Sequence, residues 1–182
     1  MNIKYSGIDQ VLAALREGKP VIISDAEDRE NEGDAIIAAQ FATAEWVAWM
    51  VRYTSGYLCA PMSEDRANQL ELPLMWLNSE DPHQTAYTVS VDAANRKSTG
   101  ISAAERANTA NVLANPHSTP ASLIRPGHVI PLRAVPGGVK ERAGHTEAAV
   151  ELLEMAGLEP VALMAELVND DGTMMRGGEL FE

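Results

Sequence analysis

The sequence predicts an α+β fold, with a mixed, largely antiparallel sheet flanked by helices in a layered α/β/α arrangement. Apolar segments of strand type alternate with segments of helical period, which is typical of a sheet covered by helices. Several strand segments follow one another through short turns, and this favours a mixed sheet over a purely parallel one. The 182 residues are predicted to form a single domain over 1–182, since domains commonly have about 100–200 residues.

The first half of the chain begins with a helix. Apolar residues between Ile8 and Leu15 recur at helical spacing, and Gly18 followed by Pro20 predicts the end of that helix. Thr43 is typical of a helix N-cap, and the helix that it opens is predicted to run to about residue 53. The other segments of this half are predicted to be a short helix at Ser63–Leu70 and strands at Val21–Ser24, Ala35–Ala39, Tyr57–Met62 and Ala86–Asp92.

The second half contains two predicted helices. Ser102 and Glu105 have the spacing of a capping box, which predicts a helix to about residue 114. Thr146 is predicted to begin the next helix, and Gly157 to end it. Prolines indicate a loop over 116–126. The remaining segments are predicted to be turns at 137–138 and 169–172 and extended stretches at His128–Ala134 and Pro160–Val168.

The bulk composition excludes several classes of protein. A net charge of −12 argues against nucleic-acid binding, which needs an excess of lysine and arginine. No segment approaches the roughly 18 apolar residues that a membrane span requires. The chain starts without the basic and apolar pattern of a signal peptide, and its single cysteine, Cys59, cannot form an intramolecular disulfide. These features predict a cytoplasmic protein without membrane or nucleic-acid partners.

An acidic loop between the first two predicted strands is the first candidate site. Mg²⁺ takes oxygen ligands and keeps several waters, so one or two carboxylates suffice to hold it. Crowded carboxylates repel one another, and a cation relieves that repulsion. A solvated acidic loop is the alternative, and the pattern alone favours neither, although Gly33 permits a tight turn. The acids, opposed within the loop only by Arg29, are Asp25, Glu27, Asp28, Glu30, Glu32 and Asp34.

A second candidate site lies where the helix at Thr146 is predicted to begin. A helix N-terminus offers unpaired amides and the positive end of the helix dipole, both of which suit a phosphate. Gly144 allows close backbone approach, and Arg142 adds a charged donor. The segment Arg142–Thr146 therefore predicts a phosphate cradle. A Thr-capped helix with an exposed arginine is an equally supported alternative.

Two histidines and one carboxylate form the third candidate group. His128 and His145 can exchange protons near neutral pH or bind metal, although an isolated histidine is more often structural. Glu166 lies in an apolar strand, where a buried carboxylate needs a partner, a metal or a proton and is a candidate general acid or base. Glu166 facing solvent from an edge strand is the alternative. Cys59 is predicted to be a small core residue.

Five segments, in this order, resemble the 3,4-dihydroxy-2-butanone 4-phosphate synthase family. One such segment can arise by chance, but five in the same order are hard to obtain otherwise. The resemblance extends from about residue 8 to residue 176 and thus covers nearly the whole chain. The segments are residues 27–34 (Glu-Asp-Arg-Glu-Asn-Glu-Gly-Asp), 98–103 (Ser-Thr-Gly-Ile-Ser-Ala), 125–128 (Arg-Pro-Gly-His), 144–148 (Gly-His-Thr-Glu-Ala) and 169–174 (Asn-Asp-Asp-Gly-Thr-Met).

The resemblance implies a lyase of riboflavin biosynthesis that converts D-ribulose 5-phosphate to L-3,4-dihydroxy-2-butanone 4-phosphate and formate. It implies Mg²⁺ or Mn²⁺ as cofactor and a homodimer with its active sites at the subunit interface. By position, Glu30 and His145 resemble the metal-binding pair, and His128 and Glu166 resemble residues essential for catalysis. The substrate-binding residues that it implies are Arg29, Glu30, Asp34, Thr99, Ser102, Arg142, Ala143, Gly144, His145, Thr146 and Glu166.

The chemistry expected of these residues starts with metal-assisted enediolate formation. A cation held by Glu30 and His145 is expected to act as a Lewis acid on substrate oxygens. His128 and Glu166 are then candidates for the proton transfers of dehydration, skeletal rearrangement and formate release. Two alternatives stay open. One is an aldose–ketose phosphate isomerase, which shares the enediol step but releases no formate, and the other is a silent metal- or sugar-phosphate-binding domain.

The chain departs from the family pattern at two places that matter. Ala143 stands where the family commonly has glycine, which is harmless unless the backbone there needs a positive φ angle or very close approach of a ligand. The family usually continues for roughly 20 residues beyond Glu182, so the chain is expected to be a catalytic domain without that last part. Its absence is expected to expose apolar surface or weaken a dimer.

Overall fold

The computed structural model describes residues 5–181, which form five α-helices and six β-strands. The helices are α1 (Ile8–Arg16), α2 (Ala44–Tyr53), α3 (Glu64–Gln69), α4 (Ala103–Ala114) and α5 (His145–Ala156). The strands are β1 (Val21–Ser24), β2 (Gly33–Ala38), β3 (Cys59–Met62), β4 (Val91–Ala93), β5 (Leu123–Arg133) and β6 (Ala162–Glu166).

All six strands belong to one sheet, in the order β1-β2-β6-β3-β5-β4. Strands β3 and β5 pair in parallel, and the other neighbouring pairs are antiparallel. The predicted mixed, largely antiparallel sheet is therefore confirmed. A parallel pair needs a crossover connection, and the segment between β3 and β5 supplies it while carrying α3, β4 and α4.

Helices cover both faces of the sheet, which confirms the layered arrangement. On one face, Leu15 of α1 and Leu153 of α5 pack with Ile36 of β2 in one apolar core. On the other face, Met50 of α2 and Leu113 of α4 pack with Ile37 in a second core. Neighbouring residues of a strand point to opposite faces, so β2 supplies both cores and is buried along its whole length.

Local capping signals place several helix ends where the sequence predicts them. The Thr43 side chain accepts a hydrogen bond from the Trp46 amide at 3.2 Å and so caps α2. Ser102 accepts from the Glu105 amide at 3.2 Å and caps α4. Gly157 ends α5 in the left-handed conformation, with φ of 71°. These residues satisfy backbone groups that a helix end leaves without partners.

Three predictions about the elements need correction. The strand predicted at Ala86–Asp92 is shorter and begins at Val91, because the preceding residues form only isolated bridges. Pro126 was expected in a loop but lies within β5, after a cis peptide bond. The capping box at Ser102 is only half formed, because the Glu105 carboxylate accepts from the 97–100 backbone instead.

Candidate active site

Three adjacent strands bring polar side chains to one edge of the sheet. Asp34, near the start of β2, pairs in register with Glu166, the last residue of β6. Cys59 begins β3 on the other side of β6. Because β6 lies inside the sheet, the alternative that placed Glu166 on an edge strand is wrong. Its half-buried carboxylate accepts a hydrogen bond of 2.5 Å from the Ser55 hydroxyl.

The acidic loop before β2 is organised around Asp25. The Asp25 carboxylate accepts hydrogen bonds from the amides of Glu30 and Glu32, each at 2.9 Å. Arg29 donates to Asp25 at 2.9 Å and to Glu30 at 2.8 Å. The loop is therefore a folded structure in which Asp25 and Glu30 have defined carboxylate positions.

The sharp turn of this loop lies at Asn31 rather than at Gly33. Asn31 has a φ of 54°, in the left-handed region that asparagine tolerates better than most residues. Gly33 belongs to β2, and a Cβ added there would lie 2.4 Å from the Leu180 side chain. A side chain at residue 33 would therefore displace Leu180, and the predicted role of Gly33 in the turn is wrong.

His145 lies against the acidic loop at the first position of α5. Its Nδ1 atom is 3.5 Å from Glu30 Oε2 and 3.3 Å from Asp34 Oδ1, and its Nε2 atom is 3.8 Å from Asp25 Oδ1. Ligand atoms of Asp25, Glu30 and His145 all lie within 4.8 Å of one another. The pair Glu30 and His145 is thus brought together as the resemblance implies. Asp25, whose role the sequence did not indicate, joins it.

The donor set fits a divalent cation. Among the described residues, the buried atoms His145 Nε2 and Asp34 Oδ1 have no hydrogen-bond partner. Two carboxylates and an imidazole suit a cation that accepts oxygen and nitrogen ligands. Buried polar atoms without partners are costly, so a bound cation would relieve both the missing partners and the crowding of negative charge.

The protonation states of these groups agree with that fit. Burial lowers the pKa of His145, against the opposing effect of Asp25 and Glu30, and this favours the neutral imidazole that metals bind. Burial alone would raise the pKa of Asp25, but the amides of Glu30 and Glu32 and the Arg29 guanidinium lower it overall. Burial, followed by the charge of Glu166, raises the pKa of Asp34 well above its ordinary value.

The N-terminus of α5 has the features of an anion site. Gly144 is the N-cap, and no side chain within residues 5–181 caps the helix. Thr146 lies inside the first turn, buried, so the alternative of a Thr-capped helix is wrong. An uncapped N-terminus leaves amide donors and the positive end of the dipole for a ligand. The geometry of this helix start is therefore consistent with the predicted phosphate cradle, which stays a prediction.

The Arg142 guanidinium is held in place beside this helix start. It donates to the buried Glu147 carboxylate at 2.6 Å, to the His83 carbonyl at 3.0 Å and to the Thr85 hydroxyl at 3.0 Å. A Cβ added at Gly144 would lie 2.1 Å from Arg142 Nη1. Arg142 is thus fixed by its neighbours rather than exposed, and it joins the 83–85 segment to α5.

The departure at Ala143 is accommodated by the backbone. Ala143 is exposed and does not have a positive φ angle. Steric crowding falls on Gly144 instead, because a Cβ added there would lie 2.1 Å from Arg142 Nη1. The methyl group at residue 143 therefore introduces no backbone strain.

These groups line one small cavity of about 90 Å³. Its wall also includes Thr85 and Tyr87, which the sequence did not indicate because they precede β4 in an irregular segment. Cys59 is buried in the core, as predicted, but also lines this cavity, and burial raises the pKa of its thiol. The predicted residues that share the cavity are Arg29, Glu30, Asp34, Arg142, His145, Thr146 and Glu166.

Three other predicted residues, His128, Thr99 and Ser102, lie outside this cavity. His128 lines a different pocket of about 280 Å³, together with Tyr57, Ile101 and Arg106. Thr99 and Ser102 belong to the exposed segment before α4. Within one chain, then, the predicted site residues fall into two groups, and the cavity with the candidate metal ligands contains only the first.

Comparison with known proteins identifies the family. The sequence profile of 3,4-dihydroxy-2-butanone 4-phosphate synthase matches residues 9–182. The chain belongs to the 3,4-dihydroxy-2-butanone 4-phosphate synthase family. The resemblance drawn from the five segments is confirmed.

Individual relatives agree with this family. The chain is 56% identical to the 3,4-dihydroxy-2-butanone 4-phosphate synthase of Candida albicans, over 94% of this chain and 85% of that protein. It is also 56% identical to the riboflavin biosynthesis protein RibBA of Salinispora arenicola, over 97% of this chain but only 42% of that relative. The chain thus spans less than half the length of this second relative.

A solved structure has the same fold. A 3,4-dihydroxy-2-butanone 4-phosphate synthase in complex with two magnesium ions superposes with a TM-score of 0.94 at 46% identity. The match covers 97% of this chain and 88% of that one. The synthase fold is therefore present over nearly all of the chain.

Proposed function

We propose that the chain is a metal-dependent lyase that converts D-ribulose 5-phosphate to L-3,4-dihydroxy-2-butanone 4-phosphate and formate. One observation carries this proposal. In a member of the synthase family, Glu30 and His145 approach to 3.5 Å at the uncapped N-terminus of α5. The candidate cation site is thus adjacent to the candidate anion site. A phosphorylated sugar that is activated by a metal needs both.

Binding is assigned to the residues of the cavity that contains the candidate metal ligands. Glu30 and His145, with Asp25 beside them, would hold Mg²⁺ or Mn²⁺. When bound, the cation supplies Lewis acidity to the carbonyl and hydroxyl oxygens of the sugar. The amides of the first turn of α5 receive the phosphate, and Arg142 supplies a charged donor to it. Arg29 and Asp34 lie in the wall of the same cavity and would bind the sugar hydroxyls.

The proton transfers are assigned to Glu166 and His128. The four-carbon phosphate and formate together contain all the atoms of ribulose 5-phosphate, so the water lost during dehydration must be returned when formate leaves. The reaction therefore needs groups that both give and take protons. Glu166, at the wall of the cavity, and His128, whose imidazole has nitrogens that can donate and accept protons, supply this capacity.

Release of formate tests this proposal directly. The protein is incubated with ribulose 5-phosphate and Mg²⁺, with and without EDTA, and formate is measured with formate dehydrogenase. We expect formate in the presence of Mg²⁺ and its loss with EDTA. Conversion to an aldose phosphate without formate would instead support the isomerase alternative. Binding of ribulose 5-phosphate without any conversion would support the silent binding domain.

A homodimer with sites at its interface belongs to the same proposal. The support is geometric: His128 lines a pocket separate from the cavity that contains Glu166, and large apolar side chains are exposed close to His128. Met75, Tyr57 and Ile101 are each at least 46% exposed. We propose that a second subunit covers this surface and brings its own His128 to the cavity that contains Glu30 and His145 of the first subunit.

Mixing two inactive variants tests this arrangement. His128→Ala and Glu166→Gln are each unfolded, mixed and refolded together, so that half of the dimers carry one copy of each. If the two residues act in different subunits of one site, each mixed dimer has one intact site, and about a quarter of wild-type turnover returns. A mixture no more active than its parents would contradict the interface site.

A cytoplasmic location is also proposed. It rests on the single buried free thiol, Cys59, which suits a reducing compartment. Within residues 5–181, no helix is both long and apolar enough to cross a membrane. Fractionation of cells that produce the full-length protein, followed by immunoblotting of the cytosolic and membrane fractions, tests this location.

A further inference from the structure

Arg176 joins the last part of the chain to the acidic loop that carries the candidate metal ligand Glu30. Its Nη1 atom donates a hydrogen bond to the Glu30 carbonyl at 2.9 Å, and its Nη2 atom donates to the Glu32 carboxylate at 2.7 Å. The two acceptors lie on either side of Asn31, the residue that makes the sharp turn of the loop. One guanidinium thus connects both arms of that turn.

The segment 169–174, which is one of the five that resemble the family, brings the arginine to this position. The Asn169 amide donates to the Thr173 carbonyl at 2.8 Å, and this bond closes a turn in which the chain reverses its direction. After the turn, the Met175 amide donates to the Leu167 carbonyl at 3.1 Å. The chain therefore runs back beside the end of β6 and reaches the acidic loop.

The backbone of Arg176 is itself held in place. Its amide donates to the Glu179 carboxylate at 3.0 Å, and its carbonyl accepts from the Glu179 amide at 3.1 Å. Leu180 lies so close to Gly33 that a Cβ added at this glycine would be 2.4 Å from the leucine side chain. The segment after β6 is thus fixed against the acidic loop, and the guanidinium approaches the loop from a defined position.

Glu30 depends on this contact for its only support from outside the loop. Within the loop, its carboxylate accepts from Arg29 and its amide donates to Asp25. Among the described residues, the hydrogen bond from Arg176 is the only one that reaches Glu30 from another part of the chain. Groups that orient a metal ligand without touching the metal influence how tightly the metal binds.

We propose that Arg176 is a positioning residue of the metal site, because it holds both arms of the turn and so keeps Glu30 in place to bind the cation together with His145. This inference rests on the proposed function, which supplies the metal site. Arg176 is half exposed, and an exposed ion pair such as that with Glu32 adds little to stability. Its loss is therefore expected to lower metal affinity rather than the melting temperature.

Arg176→Gln tests the inference through Mn²⁺ affinity, measured without substrate by electron paramagnetic resonance titration. Removal of a positive charge near the site would by itself tighten the binding of a cation. Loss of the held position should weaken binding instead, by roughly 10-fold, the lower end of the range for groups that orient metal ligands. The sign of the change thus separates positioning from electrostatics.

Arg52→Gln is the matched control. Arg52 is exposed in the last turn of α2, so this substitution removes the same charge without touching the acidic loop, and Mn²⁺ affinity should stay at the wild-type value. If Arg176→Gln does not fold, Arg176→Lys replaces it. An ammonium keeps the charge but lacks the planar fork that serves two acceptors, so Mn²⁺ binding should again be several-fold weaker than in the wild-type protein.

Amide hydrogen exchange of the metal-free protein provides a second readout that does not depend on any ion. The amides of Glu30 and Glu32 donate to Asp25 in the folded loop. They should exchange faster in Arg176→Gln than in the wild-type protein, whereas the amides of α4 should exchange at the wild-type rate.

The possible results separate this inference from the proposed function. If folded Arg176→Gln bound Mn²⁺ at least as tightly as the wild-type protein, or if its loop amides exchanged at the wild-type rate, the positioning role would be overturned and the lyase assignment would stand. A wild-type protein that releases no formate would contradict the lyase assignment, and the Mn²⁺ titration would still decide the role of Arg176.

Discussion

The two polar clusters of this chain, one around His145 and one around His128, differ in how well their charges are matched. Around His145, three acids, Asp25, Glu30 and Asp34, approach one imidazole, and His145 Nε2 and Asp34 Oδ1 have no hydrogen-bond partner among the described residues. Around His128, a single carboxylate, that of Asp92, is fully engaged by the ring and the backbone. In the first cluster the acids outnumber the one arginine that pairs with them, Arg29, whereas in the second cluster every carboxylate oxygen has a partner.

This difference separates a binding region from a positioning region. A crowded set of acids is stabilised by an external cation, so its geometry favours capture of a ligand. A saturated carboxylate–imidazole pair gains nothing from a cation, and its geometry favours a fixed ring orientation. The proposed metal ligands and the proposed proton-transfer group thus lie in two environments, which are expected to respond differently to substitution.

The largest expected effect is that of His145→Ala on both metal binding and turnover. Lewis-acid activation is worth several kcal/mol, so loss of this ligand should lower kcat by roughly 10³-fold. His128→Ala should also lower turnover, by roughly 10²-fold or more, but should still bind Mn²⁺. Electron paramagnetic resonance titration of Mn²⁺ distinguishes the two variants.

The control for this pair is His117→Ala, at an exposed residue outside both clusters. It should keep wild-type Mn²⁺ affinity and turnover. If His145→Ala bound Mn²⁺ as tightly as the wild-type protein, or if His128→Ala lost Mn²⁺ binding, the division into a binding and a positioning region would be wrong.

A smaller effect is expected from Gly144→Ala in the phosphate segment. The added Cβ would lie 2.1 Å from Arg142 Nη1 and 2.7 Å from Glu147 Oε2, so the guanidinium must move. A hydrogen bond to a charged group is worth about 1.5–3 kcal/mol, and we expect KM for ribulose 5-phosphate to rise roughly 10-fold or more.

The neighbouring substitution Ala143→Gly is a suitable control, because the exposed Ala143 needs neither a positive φ nor close contact. Steady-state kinetics should show a KM within about two-fold of the wild-type value, with only the small loss of stability that glycine causes. Equal KM changes at both positions would show that Arg142 does not bind the phosphate.

The smallest expected effect is a change in the melting temperature of the metal-free protein. Burial raises the pKa of Asp34, so the folded protein holds this proton to a higher pH than the unfolded chain does. Ionisation therefore costs stability, and the cost grows as the pH rises above the ordinary pKa of aspartate. In EDTA at pH 8, Asp34→Asn should melt roughly 2–4 °C above the wild-type protein, the shift that about 1 kcal/mol produces at this size.

Two conditions should reduce this difference in melting temperature. Added Mg²⁺ should reduce the difference because its charge offsets the negative charge of the carboxylates. A pH near 4.5 should also reduce it, because Asp34 is then protonated in the folded state. Differential scanning calorimetry measures both, with Asp9→Asn, an exposed substitution in the first turn of α1, as control. An Asp34→Asn variant no more stable than the wild-type protein in EDTA at pH 8 would contradict the raised pKa.

The sequence predicts those features that depend on a few neighbouring residues. Thr43 and Ser102 cap helices because the N-cap hydrogen bond spans only three residues. The apolar periods of α1 and α5 likewise fix which faces are buried. The pair Glu30 and His145 was found through the family segments, since nothing in the local sequence of either residue indicates that they meet.

Features that depend on strand pairing were less predictable. The alternating pattern at residues 86–92 gave the wrong bounds, because β4 extends only as far as β5 pairs with it. Asp92 was assigned no role, because its contact with His128 arises from that same pairing. Asp25 was counted among the acids of its loop, but only the folded loop shows that it faces His145.

The distance along the chain between Glu30 and His145 has a consequence for how the protein matures. During synthesis the acidic loop emerges long before α5, and the sheet that brings them together also needs β6. A cation therefore has no assembled set of ligands until most of the polypeptide has been made. Folding must proceed against the mutual repulsion of these acids, and metal supply should govern how active the finished molecule is rather than whether it forms.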